Sequence, residues 1–333
     1  MGRLIVFKNK PSIISSYTVC GPKEAEGCLA DYIDLKIYDD YDNQPSFELA
    51  ERKMLTSAIK RAVKKSGLKK DEIEAYIGGD LLNQIISSSF AARELIFPFL
   101  GVYNACATMA ESMIVGGVLV DGGFMDNVVC ATSSHFSTAE RQYRFPVEQG
   151  TTRPAQSQWT VTGAGANVIS SKAGEVKLVS AVLGRVVDYG VADANNMGAA
   201  MAPAAADTIA AFLTETHTSP DQYDLILTGD LGKVGSALLY ELLEKEYSVN
   251  IREKHNDTGL MMYYMDKQDV HAGASGCGCC GSVLCSKILN ELASGKMNRV
   301  LVVATGALLS AVSPFQGESI PGIAHGILLT DGR

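Results

Sequence analysis

The sequence predicts an α/β fold made of two similar halves, residues 1–175 and 176–333, each built from βαβ-type units. Three observations carry that expectation. The run Ala75-Tyr76-Ile77-Gly78-Gly79-Asp80-Leu81 is echoed by Leu225-Ile226-Leu227-Thr228-Gly229-Asp230-Leu231, and each follows an amphipathic helical pattern. In each half a cysteine-led helical segment then runs into a β-rich strand ending in Ala-Thr, at Ala131-Thr132 and at Ala304-Thr305. Helical patterns alternate with apolar β-rich runs throughout, as mostly parallel sheets require.

Taken in order, the first helix is marked by Phe47, Ala50, Met54, Leu55, Ala58, Ala62 and Val63 at helical spacing, with Gly67 as a C-terminal stop. The strand through Gly79-Asp80 follows. A core helix is expected to start at Cys106 and run to Val120, leading to a strand over Val128–Thr132. A polar loop, Ser137 to Gln158, precedes a strand over Gly165–Ile169. The boundary between halves is placed around Ser171-Lys172-Ala173-Gly174. In the second half Ala205, Ile209, Phe212 and Leu213 form the helical stripe, with Pro203 near its start, where a missing N–H costs little. A helix starting near Cys279 leads to Leu301–Thr305, and Gly326–Leu329 is the last strand.

Composition narrows the function. A chain of 333 residues with 47% hydrophobic and 20% charged residues can bury a sizeable core. The net charge of -8 argues against nucleic acid as a partner. No opening segment reads as a signal peptide, no run reaches about 18 apolar residues, and no basic amphipathic helix is expected. The eight cysteines are unevenly spaced, which suits free thiols.

Tyr103-Asn104-Ala105-Cys106-Ala107-Thr108 places a thiol among small residues where an apolar segment becomes a helix. Helix N–H groups stabilise a thiolate or meet a carboxylate, and small neighbours leave room for a ligand. Cys277, Cys279, Cys280 and Cys285, with His271 upstream, leave two alternatives: a zinc site, or a small-residue helix start. His135 ends a central strand and faces the pocket or bonds to the following loop; His217 and His255 read as solvated, His325 as structural. Asn195, Asn196 and Met197 either cap the following helix or line the cleft. Arg141, Arg144 and Arg153 lie in or beside the polar loop; Arg153 or Lys233 could supply charge to an anionic ligand, and Asp230, Asp188 and Asp193 could offer oxygen to calcium.

The strings Val187-Asp188-Tyr189-Gly190-Val191-Ala192-Asp193-Ala194-Asn195-Asn196-Met197-Gly198, Tyr103-Asn104-Ala105-Cys106 and Gly273-Ala274-Ser275-Gly276-Cys277-Gly278-Cys279-Cys280 resemble the stage V sporulation protein AD family, within the thiolase and ketosynthase superfamily. The resemblance spans essentially the whole chain. It implies a thiolase-like fold with layered α-β-α-β-α architecture. It also implies non-catalytic binding of dipicolinic acid (pyridine-2,6-dicarboxylate), free or as its calcium complex, for uptake into the developing spore. The family acts beside integral-membrane SpoVA subunits, peripherally, on the cytoplasmic side of the forespore or spore inner membrane, and superfamily relatives are often homodimers. No cofactor is expected.

In the superfamily a nucleophilic cysteine works with His/His or His/Asn partners. Here Asp230 stands where the first histidine would be, and His271, Ala274 or Ser275 where the second would be. An ionised aspartate cannot donate to an oxyanion. The expectation is therefore a binding site at Cys106, Asn104, His135, Asn195, Asp230, Lys233, His271 and Ser275, with Cys106 a vestigial nucleophile. The alternative is an acyltransferase that uses Cys106.

Overall fold

A computed structural model describes residues 2–143, 152–310 and 312–332. Its main sheet repeats one strand order twice. Outward from the middle, the first half runs Ser12–Cys20, Gly163–Ser170, Asn127–Ser134, Ala75–Asp80 and Phe99–Gly101. The second runs Val176–Val182, Gly322–Asp331, Arg299–Ala307, Leu225–Gly229 and His255–Asp257. In each half the first two pairings are antiparallel and the last two parallel. The halves meet where Ser12 and Ile13 pair antiparallel with Lys177 and Val176.

Strand periodicity builds the layers. Val129 and Ala131 face one way, into a core with Met54, Leu55 and Ile59 of the helix Phe47–Lys65. Val128 and Cys130 face the other way, into a central core shared by both halves. In the second half Leu301 and Val303 join Met201, Ile209 and Phe212 of the helix Met197–Thr216, while Val300, Val302 and Ala304 enter the central core. The two halves of the sheet thus separate three helical layers. The middle layer holds the helix Thr108–Asp121, which packs on strands of both halves. It also holds Cys277–Val283, continued by a π-helical stretch, Leu284–Ile288, and by Leu289–Ala293.

Several element ends differ from expectation. The first middle helix begins at Thr108, two residues after Cys106. Ala105 takes φ 49°, and the Thr108 hydroxyl donates to the Ala105 carbonyl (2.6 Å), so a tight turn intervenes. Its counterpart begins at Cys277, two residues before Cys279, because Gly276 at φ 109° ends the preceding extended segment. A Cβ on Gly276 would stand 2.6 Å from the Ser134 hydroxyl. Pro203 lies well inside its helix, since the Asn196 side chain accepts from the Ala199 N–H (3.4 Å) and starts the helix at Met197. The missing N–H therefore removes an interior bond.

By length and composition Met197–Thr216 could cross a membrane, but 83% of its apolar window is buried in the protein. It is a core helix. The expectation of no basic amphipathic helix is overturned by Phe47–Lys65. Its apolar stripe faces the core, while Arg52, Lys53, Lys60, Arg61, Lys64 and Lys65 lie toward the outside. The apolar pattern alone concealed this second face.

Candidate functional site

The turn before Thr108–Asp121 holds Cys106 where the two halves meet. Asn104 and Cys106 bridge each other, and the Asn104 N–H donates to Thr108 Oγ1 (3.1 Å). The strand Arg299–Ala307 of the second half presses on this turn. A Cβ on Gly306 would sit 2.2 Å from the Asn104 carbonyl oxygen, so only glycine permits the approach. The Asn104 side-chain nitrogen lies 3.2 Å from His325 Nε2, and His325 Nδ1 accepts from the Gly184 N–H (3.1 Å). His325 is structural, as expected.

A two-stranded ribbon, Trp159–Thr160 paired with Ala274–Ser275, brings Thr160 and Ser275 to the same place. The cavity at Cys106 is lined by Leu81, Tyr103, Thr160, Met197, Ser275 and Leu309 among others, and its volume is ≈ 20 Å³, room for about one water. A larger groove of ≈ 350 Å³ shares Leu81, Tyr103 and Leu309 with it and adds Asn83, Gln84, Gln142 and Ser310. No cationic side chain lines that groove among the described residues.

Asp230 is fully buried, with φ 64° at the end of its strand. Thr258 Oγ1 donates to its Oδ1 (2.9 Å), and the thiols of Cys279 and Cys106 face the carboxyl. Burial, then repulsion from Asp257, pushes Asp230 up to about 8. Asp257 collects the nearby donors instead: Thr228 Oγ1 (2.7 Å), and the N–H groups of Leu231 (2.9 Å), Gly232 (2.9 Å) and Gly259 (3.0 Å). Desolvation still carries Asp257 up to about 6. At neutral pH the carboxyl beside Cys106 is therefore mostly the neutral acid, able to donate a hydrogen bond that an ionised aspartate could not. Asp80, at the matching place in the first half, is likewise fully buried and accepts from the Leu82 (2.9 Å) and Ser88 (2.7 Å) N–H groups. The doubled Gly-Asp-Leu string could have flagged it.

Of the expected site residues, Cys106, Ser275 and Asp230 come together, and Asn104 supports the turn. The others lie elsewhere. His135 is buried with Nε2 against the Asp40 carbonyl (2.8 Å) and Nδ1 accepting from the Ser137 N–H (3.1 Å), so it bonds neither into the pocket nor to a following loop but to an upstream segment and to the start of the helix Phe136–Tyr143. Burial lowers its pKa. His271 takes φ 51° and turns away, its Nδ1 2.8 Å from the Pro154 carbonyl and its Nε2 2.9 Å from Asp269. The Lys233 side chain is exposed while its N–H binds the Ala272 carbonyl (2.8 Å). The Asn195 N–H donates to Asp193 (2.9 Å) in an exposed loop, and the neighbouring Asn196 is the cap. Met197, next in sequence, does line the cavity. Arg153 pairs with Asp269 (3.1 Å) and lies over Trp159, away from the groove, and Arg144 lies outside the described residues. Asp188 bonds Ser319 and Asp193 bonds Gln156, so neither joins Asp230. His255, expected in solvent, is half-buried between Thr228 (2.7 Å) and Tyr240 (2.8 Å). Among the described residues no group of three His, Cys, Asp or Glu side chains is placed to hold a metal. The clustered cysteines diverge: Cys277 donates to the Ser133 carbonyl (2.9 Å), Cys279 faces Asp230, and Cys285 meets Asn167 (3.8 Å).

The family model of stage V sporulation protein AD (SpoVAD) matches residues 2–330. The Stage V sporulation protein AD of Bacillus subtilis (strain 168) is 47% identical over 324 residues, which cover 97% of this chain and 95% of that protein. The chain belongs to the stage V sporulation protein AD family. Solved structures similar to it are condensing-enzyme folds. OleA of Xanthomonas campestris has a TM-score of 0.65 at 13% identity, covering 98% of each chain. The 3-oxoacyl-[acyl-carrier-protein] synthase III of Aquifex aeolicus VF5 has a TM-score of 0.59 at 11% identity, covering 96% of this chain and 99% of that one. The tetronic acid condensing enzyme AbyA1 has a TM-score of 0.61 at 17% identity, with the same coverage. The fold of this sporulation family is thus thiolase-like, and identities this low carry the fold alone.

Proposed function

We propose that the protein binds dipicolinate in the groove outside Cys106, as the calcium complex, and serves its uptake into the spore beside integral-membrane SpoVA subunits. One observation carries this reading. The groove of ≈ 350 Å³ has the size of a small-molecule site, and it offers the Tyr103 ring and the side-chain amides of Asn83, Gln84 and Gln142 with no cation among its described lining. A free dianion there would leave two carboxylates without a counter-charge, which costs several kcal/mol. The calcium complex is neutral, its ring can lie on Tyr103, and amide oxygens are ordinary calcium ligands. The small cavity at Cys106 forms the inner end of the site. Family membership supports the sporulation role; the ligand, the membrane subunits and a peripheral place on the inner membrane follow from the resemblance.

Isothermal titration tests this directly. Dipicolinate with calcium should bind, dipicolinate with a chelator at least about tenfold more weakly, since the lost neutralisation exceeds 1.4 kcal/mol. Cys106→Ala should weaken binding modestly and Cys106→Trp, which overfills the inner cavity, should abolish it. No heat with either form of the ligand would end the proposal.

A second reading has one observation in its favour: Cys106 sits on a turn with Ala105 at φ 49° just before a helix, a presentation suited to a nucleophile. An acyltransferase would load that thiol. Incubation with acetyl-CoA and intact-mass measurement decides the matter, because a stable acyl adduct on Cys106, absent in Cys106→Ala, would favour catalysis.

A further inference from the structure

We propose that the outer face of the helix Phe47–Lys65, with the groove beside it, is a docking site for an acidic segment of a protein partner. The chain as a whole is acidic, with a formal net charge of -8, yet six cations fall between Arg52 and Lys65. A groove of ≈ 380 Å³ runs along that helix from Leu49 to Arg61 and is walled on its far side by Glu94. Four cations line it, Arg52, Lys53, Lys60 and Arg61, against the single carboxylate of Glu94.

The internal pairings leave this charge largely available. Lys53 pairs with Asp42 (3.0 Å) and Lys60 with Glu94 (2.8 Å), both through exposed lysines. Such exposed pairs are weak and exchange readily with an incoming carboxylate. The arginines have no carboxylate partner among the described residues. Arg52 stands 6.0 Å from the Phe90 ring, and Arg61 lies 5.5 Å from the Tyr17 ring with a long bond to its hydroxyl (3.4 Å). A second observation is independent of charge. Thr56 lines the groove, is 3% exposed, and its hydroxyl has no hydrogen-bond partner among the described residues. A buried hydroxyl left unpaired is costly, and an acceptor that enters the groove and displaces the side chains covering Thr56 would satisfy it.

The shape favours a polypeptide over a flat surface. Twelve residues of helix extend about 18 Å, a length that about five residues of extended chain would follow. The cation pairs at 52/53 and 60/61 lie about 12 Å apart along the axis. Acidic side chains spaced along one segment can reach both pairs and the Thr56 hydroxyl together. A bilayer would touch only the rim of the concavity.

The test is fluorescence anisotropy of labelled octaglutamate with the full chain at several salt concentrations, beside flotation with vesicles of phosphatidylglycerol and phosphatidylcholine. Octaglutamate should bind, and its affinity should fall steeply with salt. Arg52→Glu/Arg61→Glu should weaken it by about tenfold or more, as loss of charge-assisted bonds does. Lys245→Glu/Arg252→Glu, which changes net charge equally on another surface, should leave it within about twofold. Thr56→Val, which keeps every charge, should weaken binding several-fold while the chain stays folded by circular dichroism. Equal loss in the two charge reversals would overturn the proposal, as would no binding of octaglutamate. Vesicle binding that depends on Arg52 and Arg61 without octaglutamate binding would make the occupant a bilayer and also overturn it.

Discussion

Replacing Asp230 with asparagine should make stability less dependent on pH, with a slope set by one buried carboxyl. The folded protein holds Asp230 near 8 against an ordinary 3.8, chiefly through burial and then repulsion from Asp257. Below about 3.8 the proton is bound in both folded and unfolded chains, and Asp230 then costs no ionisation energy. As pH rises from about 4 toward 8, the unfolded chain ionises while the folded one keeps its proton. Stability is therefore lost on going up in pH, by about 1.4 kcal/mol per pH unit for a single group. Between pH 5 and pH 7 this amounts to roughly 3 kcal/mol. Glu24 and Glu51, buried and raised to about 7 and about 8, act with the same sign, but both proteins retain them. They cancel in the difference. Asparagine is nearly isosteric and can still accept from Thr258, so its folded form should be preserved. Urea unfolding of both proteins at pH 5, 6, 7 and 8, extrapolated to water, measures the effect. Asp230→Asn should gain on wild type by about 1.4 kcal/mol per unit up to pH 7 and level off above pH 8. A gap that stays constant across this range would mean that Asp230 is ionised in the folded chain, and the account of a neutral acid beside Cys106 would fail.

Two further substitutions probe the frame around the sites. Gly306→Ala should cost about 3 kcal/mol, because its Cβ would meet the Asn104 carbonyl oxygen at 2.2 Å and backbone must move; a loss under about 1 kcal/mol in thermal unfolding would show that the Cys106 turn has slack. Thr56→Val should stabilise the unliganded chain by about 1 kcal/mol by removing an unpaired buried hydroxyl, and destabilisation in the same melt would place a partner on that hydroxyl.

Asp230 also shows how the surroundings of Cys106 are arranged on this thiolase-like fold. Its neighbours Leu231 and Gly232 spend their N–H groups on Asp257. His135 and His271 are held against backbone carbonyls, and His325 lies between the Asn104 side chain and the Gly184 N–H. The carboxyl beside Cys106, Asp230, is mostly protonated at pH 7 and so is placed to donate a proton there rather than to accept one.

Much of the architecture was legible in the sequence because it rests on local rules. Alternation along Val128–Ala131 and Val300–Val303 assigns side chains to opposite faces of a sheet, and the Gly-Asp-Leu and Cys-helix echoes disclose the doubled strand order. Cys106 was legible because it stands where an apolar segment becomes a helix, and Asp230 and Ser275 because the family resemblance puts them where a thiolase-type cysteine's partners would lie. Tertiary packing decided the rest. His135, Asn195, Lys233 and His271 lie close to site elements in sequence, but φ at His271, the cap at Asn196 and the bond from His135 to Asp40 turn them away. Tyr103, Gln84 and Leu309 share a groove across more than 200 residues of chain, which no spacing rule reports. The basic face of Phe47–Lys65 was written in the sequence from the start; only the packed core revealed that its apolar stripe is already used, leaving the cations outward. Periodicity fixes which way a side chain faces within its own element, whereas a site is made where elements distant in sequence meet, and that is a property of the folded whole.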